Sequence, residues 1–114
     1  MSFYKYFTDK ESLGLTKDLM FKLERARELF NAPIIITSGY RDPAHNDNVG
    51  GVQDSSHTKG MAVDIRCHDK EMQIKLAWAL GCAGFRRLGV YDKHVHVDCD
   101  LDKTTPAYWT GVSK

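Results

Sequence analysis

The segments Ser55-Ser56-His57-Thr58-Lys59-Gly60-Met61-Ala62-Val63-Asp64 and His94-Val95-His96-Val97-Asp98 constrain this chain more than any other feature of it. Each ends in alternation, the period-two signature of a strand. Residues 61–66 put Ala62 and Asp64 on one face and Val63 and Ile65 on the other, and residues 94–99 put His94, His96 and Asp98 together. Two strands that each present such a residue, with a histidine from the intervening loop, can converge on one ion without special strain. His57, Asp64 and His96 offer two imidazoles and a carboxylate, donors that Zn²⁺ accepts in tetrahedral geometry. Three protein ligands leave a fourth position for water, as in catalytic rather than structural sites.

With 114 residues, 42% of them hydrophobic, a single domain over residues 1–114 is expected, with a core that needs no disulfide staples. Sixteen Lys and Arg stand against fifteen Asp and Glu, a formal charge of +1, so no strong field draws the chain to nucleic acid or to an anionic membrane. Cys67, Cys82 and Cys99 are odd in number and lack CxxC spacing, which indicates neither a disulfide framework nor a thiolate zinc cluster. The start, Met1-Ser2-Phe3-Tyr4-Lys5-Tyr6-Phe7, lacks the order of a signal peptide, and no apolar run approaches the ~20 residues that cross a bilayer. The expectation is a monomer without a membrane span, made in the cytoplasm, that meets an external substrate only if it is delivered there.

Thr16 is placed to cap a helix running to about Phe30, with Leu19, Leu23, Ala26 and Phe30 at helical steps and Asn31 and Pro33 ending it. Pro33-Ile34-Ile35-Ile36-Thr37 has the composition of a buried strand. Residues 38–56 are rich in turn formers without apolar period, and a long loop leading into a candidate ligand favours a functional role. Asp69 caps a second helix to about Ala83, carrying Met72, Leu76, Ala79 and Leu80 inward. Residues 85–91 and 94–99 form two strands joined at Asp92-Lys93. In the tail from residue 101, Tyr108 and Trp109 are expected to pack as a lid.

Ser-x-His-x-x-Gly-x-Ala-x-Asp joined to a downstream His-x-His resembles the zinc D-Ala-D-Ala peptidase family, whose fold is shared with the Hedgehog signalling domain. Ser38-Gly39-Tyr40-Arg41, Pro43, His45-Asn46 and Val49-Gly50-Gly51 extend the resemblance, which covers residues 33–99. It implies an α+β domain, a small antiparallel sheet with flanking helices. It also implies zinc-dependent hydrolysis of a peptidoglycan stem peptide, of D-Ala-D-Ala carboxypeptidase or L-Ala-D-Glu endopeptidase type. Relatives of this size include phage and prophage lysins as well as cellular carboxypeptidases.

In that family the arginine after Ser-Gly-Tyr faces the substrate, which gives Arg41 a carboxylate or the scissile carbonyl to bind. Ser55 is taken to stand on the substrate side and to steady His57, while His45 and Asn46 shape the loop. The peptidases carry an acid three positions before the last ligand histidine, where this chain has Lys93. Asp92, one residue earlier, is the nearest substitute as base, against the simpler reading that Asp suits a turn. His94 is assigned to oxyanion stabilisation or proton transfer, and Asp98 to orienting an imidazole from behind. Because Hedgehog domains resemble this fold with zinc retained for recognition, the alternative is a catalytically weak or inactive zinc-containing binding module.

Overall fold

The computed structural model describes residues 3–42, 44 and 55–113. Pro43, His45, Asn46 and Val49-Gly50-Gly51, with most of the loop at 38–56, lie outside the described residues. Thr8 opens α1 (Asp9–Ser12) with a capping box: its Oγ1 accepts the Glu11 N–H at 3.1 Å, and the Glu11 carboxylate accepts the Thr8 N–H at 2.9 Å. Helix α2 (Lys17–Phe30) begins at Thr16, whose hydroxyl accepts the Leu19 N–H at 3.3 Å. It ends at Asn31, in the left-handed region at φ 56°, which Asn tolerates better than most residues. Leu19, Leu23 and Ala26 form its buried side together with Met20.

Five strands form one sheet: β1 (Ile36–Ser38), β2 (Ala62–Arg66), β3 (Arg87–Tyr91), β4 (His94–Asp98) and β5 (Ala107–Gly111), in the order β1-β2-β4-β3-β5. The first four pair antiparallel, and β5 runs parallel to β3 along one edge. The α+β architecture with flanking helices matches the sequence reading, but the sheet is mixed rather than wholly antiparallel. The tail is the reason. Residues 99–106 carry the chain from the end of β4 back to the start of β3, where Ala107 pairs with Arg87. Tyr108 and Trp109 are therefore strand residues, not a lid, and Tyr108 is exposed. At the other edge the expected strand at 33–37 begins pairing only at Ile36, opposite Ile65.

Helix α3 (Lys70–Cys82) is capped by Asp69, which accepts the Glu71 N–H at 2.8 Å. On its buried face Gln73 donates from Nε2 to the carbonyls of Cys67 and Tyr91, each at 2.7 Å, which ties the helix to the ends of β2 and β3. Val63, Ile65, Leu88, Val95 and Val97 pack with Leu19 and Leu23 of α2 and Leu76 and Leu80 of α3. Each fully buried aliphatic side chain contributes about 1.5–3 kcal/mol relative to exposure. Because strand side chains alternate, the same burial drives Asp64, His94, His96 and Asp98 to the opposite face. A slip of one residue would exchange the two sets, so core packing fixes the register that assembles the polar face.

Candidate active site

Asp64 of β2 and His96 of β4 are direct partners in the antiparallel ladder, and His96 Nδ1 lies 2.9 Å from Asp64 Oδ1. His57 arrives from a 3₁₀ turn, Ser56–Lys59, with Nε2 3.5 Å from Asp64 Oδ2. The two imidazoles meet edge to face at 5.4 Å between centroids. One ligand atom from each of His57, Asp64 and His96 lies within 4.8 Å of the others. Gly60 makes the approach possible: it closes the turn at φ 70°, and a Cβ there would fall 2.1 Å from the carbonyl oxygen of Gly14. No other residue fits that position without moving backbone, which explains the glycine of the motif.

The remaining nitrogen of each imidazole is tied down. His57 Nδ1 sits 2.8 Å from the Gly39 carbonyl; a carbonyl can only accept, so Nδ1 donates to it, and Nε2 is the nitrogen turned toward Asp64. His96 Nε2 donates to Asp98 Oδ2 at 2.8 Å, leaving Nδ1 as the nitrogen turned into the cluster. Asp98 is fully buried, and its other oxygen accepts from Arg87 Nε at 2.7 Å and from the Asp100 N–H at 3.1 Å. Imidazoles whose outer N–H groups are held by a carbonyl or a carboxylate are arranged as metal-binding histidines are. The donor set, two nitrogens and a carboxylate, suits zinc.

The charges agree with this geometry. Burial alone would raise the Asp64 pKa, but hydrogen bonds and charge from His57 and His96 outweigh it and hold the carboxyl well below its usual range. For His96, burial disfavours the charged ring, and the carboxylates of Asp64 and Asp98 overcome that and raise its pKa.

The other residues singled out from sequence fall at graded distances. Arg41 belongs to the site: its guanidinium lies 3.8 Å from Asp64 Oδ2, its Nε donates to Ser38 Oγ at 3.2 Å, and its backbone N–H donates to the His57 carbonyl. Ser55 is buried, and its Oγ accepts the His57 N–H at 3.2 Å. Its contacts suit the steadying of His57; a substrate contact would require that hydroxyl to leave its bond. His94 lies on the ligand face of β4, stacked on Tyr91 at 4.3 Å with Nδ1 2.7 Å from Ser113 Oγ. Burial lowers its pKa. Asp92 is not brought into the cluster: its carboxylate is turned to the Ser113 N–H at 2.5 Å.

Sequence reasoning did not reach Gly89, Arg87 and Ser113, and it took Trp109 for part of a lid rather than a strand residue. Gly89 of β3 pairs with His96 on one side and Trp109 on the other. A Cβ at Gly89 would fall 2.3 Å from the indole nitrogen, so the missing side chain lets Trp109 lie across the strand to within 5.6 Å of the His96 ring. Trp109 Nε1 donates to the Tyr91 hydroxyl at 3.0 Å, and the Arg87 guanidinium lies over the indole at 5.2 Å. The only sequence signal was the β-compatible run Ala107-Tyr108-Trp109, which lacks a clean alternation.

The motif, the sheet that carries it and the convergence of its ligands define a peptidase fold, and the chain belongs to the peptidase M15 family, whose model matches residues 6–100. Its fold is similar to that of the crystal structure of the L-Ala D-Glu endopeptidase ChiX of Serratia marcescens, with a TM-score of 0.64. That likeness has 17% identity and covers 86% of this chain and 89% of that one. No curated protein sequence matches the chain significantly. Among the described residues, no helix is long and apolar enough to cross a membrane.

Proposed function

We propose that the chain is a zinc-dependent peptidase that hydrolyses a peptide bond in bacterial peptidoglycan stem peptides, of the D-Ala-D-Ala carboxypeptidase or L-Ala-D-Glu endopeptidase type. The observation that carries this reading is the convergence of His57 Nε2, Asp64 and His96 Nδ1, with the other nitrogen of each ring already hydrogen-bonded. Zinc bound there supplies Lewis acidity, polarising a carbonyl and acidifying water. His57, Asp64 and His96 hold the ion, and Asp98 keeps the His96 ring in the orientation that presents Nδ1. Arg41, beside Asp64, binds a substrate carboxylate or carbonyl oxygen through its planar fork. His94 shares the face of His96 and supplies proton transfer or oxyanion stabilisation. Asp92 acts as base only if it gives up the Ser113 N–H.

The alternative, a zinc-containing module that binds without turnover, is favoured by one observation: Asp92, the acid nearest the family's usual position, is engaged elsewhere, and Lys93 occupies that position. Incubation of the zinc-loaded protein with purified peptidoglycan, followed by mass spectrometry of the fragments, decides between the two. A new terminus at D-Ala or at L-Ala identifies the bond. Zinc bound at one equivalent with no fragment released gives the binding module.

A further inference from the structure

We infer that Trp109 forms the apolar wall of the substrate groove on the side of the metal cluster away from Arg41, where it holds the alkyl face of a stem peptide. This deepens the proposed peptidase reading and rests on it. Strands β3 and β5 exchange aromatic rings across their parallel pairing. Trp109 of β5 stands opposite Gly89, and Tyr91 of β3 stands opposite Gly111. A Cβ at Gly89 would fall 2.3 Å from the indole nitrogen, and one at Gly111 would fall 2.6 Å from the Tyr91 ring, so each glycine leaves the room that the ring across from it occupies. The indole is also held from both directions along β3: its Nε1 donates to the Tyr91 hydroxyl at 3.0 Å, and the Arg87 guanidinium lies over it at 5.2 Å.

Aromatic rings packed over glycines stabilise strand pairing at a sheet edge, but that does not account for where this ring ends. Trp109 belongs neither to the apolar core nor to the side chains packed against it. It lies half-buried on the polar face, 5.6 Å from the His96 ring, and the wall continues toward the hairpin because Tyr91 stacks on His94 at 4.3 Å. Arg41 approaches the same cluster through Asp64 of β2, at 3.8 Å, whereas the indole approaches through His96 of β4 and lies above β3. In the strand order β1-β2-β4-β3-β5 the cationic and the apolar group therefore flank the Asp64–His96 pair from opposite sides. A peptide laid across the strands, with a carboxylate at Arg41 and its backbone at the cluster, meets the indole with the groups beyond the scissile bond. In an alanine-containing stem peptide those are methyl and methylene groups. An indole already locked in place binds them without the cost of ordering a free side chain.

Fluorescence reads this contact directly, because the chain has two tryptophans and the other, Trp78, lies exposed on α3. In zinc-loaded Trp78→Phe protein, rapid mixing with the pentapeptide L-Ala-γ-D-Glu-L-Lys-D-Ala-D-Ala should change the Trp109 emission saturably ahead of turnover and shield the ring from acrylamide quenching. Trp109→Ala should raise the dissociation constant of that peptide, measured by calorimetry, by about 10-fold or more, the scale of losing a central tryptophan contact. Zinc content should stay unchanged, and KM should rise by a larger factor than kcat falls. Gly89→Ala, which keeps the indole in the chain but pushes it aside, should weaken binding in the same direction. Peptide that binds by calorimetry while Trp109 emission and quenching stay unchanged overturns the inference and leaves the peptidase reading standing. So does an unaltered dissociation constant in Trp109→Ala. A parent protein that binds no stem peptide by calorimetry takes both readings down. The emission of the Trp78→Phe protein decides the matter even if Trp109→Ala does not fold.

Discussion

Asp64 and His96 face each other across the β2–β4 ladder, and His96 Nδ1 lies 2.9 Å from Asp64 Oδ1. Residues directly opposite in an antiparallel pair have Cβ atoms about 4.5–5.5 Å apart, so the separation of these two donors is set by the sheet and not by a loop. Only His57 is delivered by a turn, and that turn is pinned by Ser55, by the Gly39 carbonyl and by the tight fit of Gly60 against Gly14. The geometry proposed to hold zinc is therefore fixed by the sheet and by one pinned turn.

His57→Ala and His96→Ala should each abolish stoichiometric zinc after gel filtration in metal-free buffer, while the far-ultraviolet circular dichroism stays that of the parent. The fold should survive because neither ring belongs to the apolar core. Metal analysis by mass spectrometry is the check, and one equivalent of zinc retained in either variant would remove that residue from the ligand set.

Asp98→Asn asks whether the support behind His96 matters. The carboxylate joins His96 Nε2 to Arg87, and an amide cannot accept from both as a full anion. Zinc affinity, measured by competition with a chromophoric chelator, should fall by about 10–100-fold, the usual effect of losing such a partner. Affinity equal to the parent would mean that backbone and packing alone orient the ring.

Arg41→Lys separates substrate binding from metal binding. The guanidinium stands beside Asp64 at 3.8 Å but offers no ligand atom, so zinc content should not change. Replacing a planar fork by a point charge should cost kcat/KM about 10–100-fold, since hydrogen bonds to charged groups are worth roughly 1.5–3 kcal/mol. Equal kcat/KM in the two proteins would return Arg41 to a structural role in the turn around Ser38 and His57.

What could be read ahead of the structure was local. Thr16 and Asp69 cap the helices assigned to them, and Asp92-Lys93 turns the hairpin, because these signals depend on a few neighbouring residues. The convergence of Asp64 with His96 was legible because alternation fixes faces once the valines are buried. Strand β5 was not: its pairing is parallel to β3 and long in range, and its short sequence carries no period that a core would enforce. Everything β5 delivers was hidden with it, namely Trp109 across Gly89 and Ser113 at the hairpin turn. Asp92 shows the limit from the other side. Its place in the turn was correct, but the direction of its carboxylate depends on Ser113, a residue far along the chain.

Asp100 gives a stability prediction with a definite pH dependence. Its carboxylate is fully buried; Oδ2 accepts from Ser56 Oγ at 2.8 Å and from Lys59 Nζ at 2.9 Å, and Oδ1 accepts the Asp102 N–H at 3.2 Å. Burial would raise its pKa, but the bonds from Lys59 and Ser56 outweigh it and hold the group below the ordinary carboxylate value. A folded pKa lower than the unfolded one, which is ~3.9 for Asp, means that the charged form binds the native state better. The contribution is fully present above about pH 4 and is lost as pH falls through the folded value. Asp100→Asn should therefore unfold in urea with a free energy lower by about 1.5–3 kcal/mol at pH 7, the range for hydrogen bonds to a charged group. The gap between variant and parent should narrow at pH 3. A gap that stays constant from pH 7 to pH 3 would show that the shape of the side chain matters and its charge does not. Because Ser56 precedes His57, the same variant should also bind zinc more weakly at neutral pH, linking the buried carboxylate to the turn that delivers the third ligand.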